Sequence, residues 1–82
     1  MFQWSEHPGT IVQIHSNLSL AGLPRCLSYP MIFLERTKIN TGMRKAMFLA
    51  FDGTVVDFIL DSYRYYDIRV RGTTYSLIPV AI

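Results

Sequence analysis

Cysteine is nearly absent. Cys26 stands alone in 82 residues, so no intrachain disulfide framework can staple this chain, and a reducing compartment suits it. Charge is scarce as well: Asp, Glu, Lys and Arg make up 17% of the sequence, against roughly 25% in an average soluble domain. With few charges to cover the outside, some apolar groups must either stay wet or meet a partner. Long apolar runs are missing too. The longest, Ala46 to Phe51 and Leu77 to Ile82 with Pro79 counted as apolar, fall far short of the roughly 20 residues that cross a bilayer as a helix, so no membrane partner is expected. The start carries Glu6 and no basic segment followed by an apolar one. That argues against a secretory leader and for a cytoplasmic chain, in which the sequon Asn17-Leu18-Ser19 has no role.

There is also no linker, repeat or low-complexity tract, so residues 1–82 are read as one domain. Area scaling for this mass gives burial of about 63% of the open chain's surface, enough for one modest core. Gly and Pro punctuate the first half at Pro8-Gly9, Gly22 to Pro24, Pro30 and Gly42. Between them Thr10 to His15 and Met31 to Arg36 are short and rich in β-branched and aromatic residues, which predicts strands. Ser16 to Tyr29 reads as a long irregular connection or a short edge pairing.

Two turn signals dominate the second half. Asp52-Gly53 between apolar runs favours a two-residue hairpin loop with both central residues at positive φ. That register pairs Phe51 with Thr54, Leu49 with Val56, Met47 with Phe58 and Lys45 with Leu60 on a core face. It sends Ala50, Phe48, Ala46 and Arg44 to the other side, opposite Val55, Asp57, Ile59 and Asp61. Gly72-Thr73 predicts a second tight turn, with Val70, Ile68 and Tyr66 facing Tyr75, Leu77 and Pro79. Joined through residues 61–64, the two hairpins make a four-stranded meander. The expected fold is therefore all-β and mainly antiparallel, with five or six short strands in a small barrel or compact sandwich. An α+β alternative places a short helix near 54–63, capped by Thr54, with Val55, Val56, Ile59, Leu60 and Tyr63 on one face.

The segment Leu49 to Asp57 resembles the first motif of haloacid-dehalogenase-type phosphatases, an aspartate, one residue, then Asp-Gly-Thr. Asp52, Gly53 and Thr54 match, but the nucleophilic aspartate of that family falls at Ala50, which cannot form a phospho-enzyme. Asp52-Gly53 is accordingly read as a turn. His7, His15 and Cys26 lack the close spacing of a zinc site or a thiol–base pair. Asp57 and Asp61 lie roughly 13 Å apart along a strand, which gives no acid–base pair. No phosphate-binding or dinucleotide fingerprint is present. An enzyme, a cofactor, a metal and a small-molecule substrate are therefore not expected.

Binding is the better class. Apolar residues fall on both predicted faces of each hairpin, and Phe48, Ile59, Ile78 and Val80 lie opposite the core faces. They are the candidate interface for a protein partner or a second copy. The alternative is single-stranded nucleic acid on a face carrying Tyr65, Arg69 and Arg71 with Arg44 and Lys45, because bases stack on rings and guanidinium groups while cations hold phosphates. A second basic stretch, Arg36, Lys38, Arg44 and Lys45, surrounds the loop at Ile39 to Gly42.

Overall fold

The computed structural model describes residues 3–15, 23–61 and 67–80. Six strands run in chain order: β1 (Ile11–His15), β2 (Met31–Asn40), β3 (Met43–Leu49), β4 (Val55–Leu60), β5 (Asp67–Val70) and β6 (Thr73–Pro79). Each pairs antiparallel with the next, and β6 returns to β1 so that the sheet closes into a barrel. Closure matters for so short a chain, because it removes the exposed sheet edges that a sandwich would leave. The expected C-terminal meander is β3 to β6. The helix considered near 54–63 is not formed, since Val55–Leu60 is a strand. Its β-branched residues pair with β3 on one side and β5 on the other.

The β3–β4 turn corrects the predicted register. Asp52-Gly53 does lie in the loop, but the loop holds three residues: Ala50 N–H donates to Thr54 O at 2.8 Å and Gly53 N–H donates to Ala50 O at 3.0 Å. Gly53 takes φ 87° and Asp52 does not take positive φ. Instead the Asp52 carboxylate accepts the Thr54 amide at 3.0 Å and the Thr54 hydroxyl at 2.6 Å, a local side-chain turn. Those two hydrogen bonds hold the Asp52 carboxyl below the ordinary carboxylate range. The consequence is a shift of one residue, with Leu49 opposite Val55, Phe48 opposite Val56 and Ala46 opposite Phe58. One residue is one face. Ala46, Phe48 and Ala50 point into the barrel, and Lys45, Met47 and Leu49 point out.

The β5–β6 turn is also displaced, with a different outcome. Its central residues are Arg71 at φ 52° and Gly72 at φ 80°, not Gly72 and Thr73, and Val70 pairs with Thr73. Both central residues at positive φ is the geometry whose twist matches paired strands. The pairing moves by two residues, so Ile68, Val70 and Leu77 are buried and Tyr75 packs against them as expected, whereas Pro79, expected on the same face, is exposed and Tyr66 lies outside the described residues.

Trp4 fills the barrel. It sits in a short 3-10 turn, Trp4–Glu6, its ring is 1% exposed, and its indole N–H donates to Leu77 O at 3.0 Å. Its centroid lies 5.1 Å from Phe33, edge-on, and 5.4 Å from Phe48. A second 3-10 turn, Arg25–Ser28, packs Leu27 against the same core. In β2 the register shifts at Leu34 and again at Ile39. Such bulges bend a strand and increase its twist.

Candidate interaction surface

On β1 to β4, residues beside the buried ones must point outward, since side chains alternate along a strand. Val12, Met31, Phe33, Phe48 and Ala50 are buried, which turns Ile11, Ile32 and Leu49 out. The register then sets them side by side: Ile11 opposite Ile32, Ile32 opposite Leu49, Leu49 opposite Val55. Val80 extends the row beyond β6, its N–H donating to Ile11 O at 2.8 Å. Five apolar side chains thus cross five neighbouring chain segments in a line about 19 Å long at the usual strand spacing. Val55 is 54% exposed, and Phe51, in the adjoining loop, is 51% exposed. Tyr29 stacks on Phe51 at 4.3 Å between centroids, and the Arg25 guanidinium lies 5.8 Å from the Phe51 ring centre.

The rim of this row is polar on one side. Glu35, Met47 and Asp57 form the next outward line, and Thr37, Lys45, Ile59, Arg69 and Thr74 the one after it. Lys45 reaches back to Asp57 at 3.3 Å. Beside that pair lies a depression of about 90 Å³ lined by Lys45, Asp57, Phe58 and Ile59, small against the roughly 300–1,000 Å³ of a ligand pocket.

The predicted interface residues separate. Phe48 is 0% exposed and belongs to the core, because the extra loop residue turned β3 over. Ile59 is exposed, on a line with Lys45 and Arg69. Ile78, opposite Gln13, and Val80 are half-buried, and Val80 alone of the four joins the apolar row. Of the nucleic-acid set, Tyr65 lies outside the described residues. Lys45 and Arg69 share an outward line; Arg44 alternates to the other side, and Arg71 sits in the β5–β6 turn. The structure therefore does not gather the described four on one sheet face. The row is not apparent in the sequence, because a two-residue loop at Asp52-Gly53 puts Leu49 and Val55 on opposite faces, whereas the three-residue loop sets them side by side.

Among the described residues no three His, Cys, Asp or Glu side chains come together as a metal site would require. Among the described residues two buried polar atoms lack a hydrogen-bond partner, Ser5 Oγ and Asp67 Oδ1. Asp67 is 2% exposed, and its Oδ1 accepts no hydrogen bond. Ser76 lies across from it, and His15 lies across from Ser76 on the other side. The order is acid, hydroxyl, imidazole, whereas a nucleophile relay needs the imidazole in the middle. Burial pushes the Cys26 thiol above its ordinary pKa and so reduces thiolate at neutral pH. Alkylation of Cys26 by iodoacetamide in the folded protein is expected to rise at higher pH than in the urea-unfolded chain. Coincident rate–pH profiles would contradict the burial seen here.

The fold and surface define a small antiparallel up-and-down barrel with an apolar external row. No family model matches the chain, and no curated protein or solved structure matches it either. No helix among the described residues is long and apolar enough to cross a membrane.

Proposed function

We propose that the chain is a non-enzymatic protein-interaction module, self-associating or docking on a cellular protein target as a small regulator, inhibitor or assembly component. The observation that carries this reading is the line Val80, Ile11, Ile32, Leu49 and Val55 on the outside of a closed barrel. A closed barrel buries its inner face by itself, and the outer line, half-buried at Val80, Ile11, Ile32 and Leu49 and exposed at Val55, still leaves apolar surface to be covered. An apolar centre with aromatic neighbours and a rim of charged groups is the anatomy of a protein interface. Tyr29, Phe51 and Arg25 at one end supply the residue types that anchor such contacts. A cytoplasmic setting goes with this reading, on the strength of the lone thiol.

The test is the mass of the wild-type protein and of Leu49→Glu/Val55→Glu in sedimentation velocity. Wild type is expected to sediment above monomer mass and the double variant as monomer, both with the same circular dichroism and melting. Each charge placed in a packed centre costs about 2 kcal/mol or more, roughly thirtyfold in Kd. A wild type that stays monomeric at high micromolar concentration overturns self-association. Heterologous docking is overturned in turn if every protein captured by the wild type is retained equally by the double variant.

A further inference from the structure

The apolar row has two unlike sides. Its centre is Ile32 on β2 beside Leu49 on β3, and from there it bends round the barrel in both directions. On one side, two positions along β3 from Leu49, stand Met47 and its cross-strand neighbour Glu35, about 7 Å away at the usual rise per residue. On the other side Tyr29 precedes β2 and Phe51 follows β3, so their stacked rings lie past the same two strands. The Arg25 guanidinium is 5.8 Å from the centre of the Phe51 ring. A cation thus flanks the centre of the row on one side, and an anion flanks it on the other.

Both charges are exposed, and among the described residues neither Arg25 nor Glu35 has an ion-pair partner. Asp57, at the far end of the acidic side, is already held by Lys45. Asp52 lies near enough to Arg25 to feel its charge but outside ion-pair distance, and it directs Oδ1 at the Thr54 amide and hydroxyl. An acidic partner would therefore suit Arg25 and oppose Glu35, and a basic one would do the reverse. A surface carrying both signs at the same spacing suits both, and this chain carries one. We infer that the face pairs with a second copy of the chain about a two-fold axis running along the row, so that Arg25 of each copy meets Glu35 of the other.

An axis lying in the contact exchanges the two sides of the line it follows, and the same patch serves on both copies. Ile32 and Leu49 then meet their own counterparts, the rings of Tyr29 and Phe51 lie over Met47, and two charge pairs close the rim. An apolar centre inside a polar edge is the usual anatomy of an interface. The contact is small, because the ends of the row turn away round a molecule of 31 × 27 × 27 Å. It belongs with interfaces below about 1,200 Å², which are weak, so the dimer forms at micromolar concentration and above. This inference rests on the interaction reading and names its partner.

Sedimentation velocity over a concentration series tests the pairing with wild type, Arg25→Glu, Glu35→Arg and an equimolar mixture of the two variants. Wild type is expected to move from monomer to dimer mass as concentration rises. Each variant alone sets like charges against each other at both pairs and is expected to dimerise about tenfold more weakly or worse. In the mixture every reversed charge meets an opposite one, so dimer is expected to return to near the wild-type level. That recovery arises only where the two positions face each other across a two-fold. Both positions are exposed, so dilute melting curves of the three proteins are expected to coincide, which separates lost pairing from a damaged fold. The inference is overturned if wild type stays monomeric at high micromolar concentration, if either variant alone dimerises as wild type does, or if the mixture does no better than its components. Its failure leaves the interaction reading standing where Leu49→Glu/Val55→Glu still dissociates a wild-type dimer or still releases a captured protein. If the double variant does neither, both readings fall.

Discussion

Replacing Trp4 with alanine is expected to remove about 3–5 kcal/mol of stability, the usual cost of truncating a buried aromatic side chain. A chain of this size holds roughly 4–12 kcal/mol in total, at the common 0.05–0.15 kcal/mol per residue. The single change therefore takes between a quarter and all of it. At about 4–8 °C per kcal/mol for a small domain, the midpoint of thermal unfolding falls by roughly 12–40 °C. The physical reason is position. Trp4 touches both Phe33 and Phe48 and ties the first turn of the chain to β6 through Leu77 O, so removing it empties the barrel and frees the segment that closes one end. Trp4→Phe separates the two effects: it keeps an aromatic ring and loses the indole donor, with an expected cost of about 1–3 kcal/mol. Far-ultraviolet circular dichroism melts of the three proteins provide the measurement. A Trp4→Ala midpoint within a few degrees of wild type would show that the ring does not fill the core.

The second large effect comes from lysine scanning of β3. Phe48→Lys is expected to prevent folding, because it buries an unpaired ammonium, at a cost of several kcal/mol, and removes a ring packed against Trp4, Phe33 and Phe58. Met47→Lys, one residue away, is expected to change stability by no more than about 1 kcal/mol, within the range of changes at the surface. Its side chain points outward between Glu35 and Asp57, which favour a cation. Urea titration of the two variants checks both. The two-residue loop that Asp52-Gly53 suggests would reverse the order, with Met47→Lys unfolding the protein and Phe48→Lys tolerated. The pair of variants thus measures the register directly.

That contrast shows what kind of information a sequence carries. Strand existence was legible because β-branched residues, Gly and Pro mark it locally, and the meander from β3 to β6 follows from two short connections. Inward faces were legible in β4, β5 and β6. In β3 they were not, because the face depends on whether the loop has two residues or three, and that turns on Asp52 choosing the Thr54 amide over a positive φ. At the β5–β6 turn an error of two residues left Ile68, Val70, Tyr75 and Leu77 on the inner side. Parity, and not position, decided which error mattered. Trp4 gave no periodic signal, being one ring in a short turn, so its place in the core emerges only in three dimensions. The cations of the β2–β3 hairpin were visible as a basic stretch, but the bulge at Leu34, which puts Arg36 on the side of Ala46, was not.

The ladder between β1 and β6 joins Val12 to Pro79 and His15 to Ser76, residues almost the whole chain apart. Every other ladder joins elements that follow one another. Loop-closure entropy makes contacts between distant segments the last to form and slows folding, so the neighbouring hairpins are expected to assemble first and this seam to zip shut at the end. An open-seam species would present two unpaired strands, the configuration from which chains exchange segments or aggregate. The Trp4 indole, bonded across the full length of the chain to Leu77, acts as a latch on that seam, and its hold sets how long the barrel stays shut between openings.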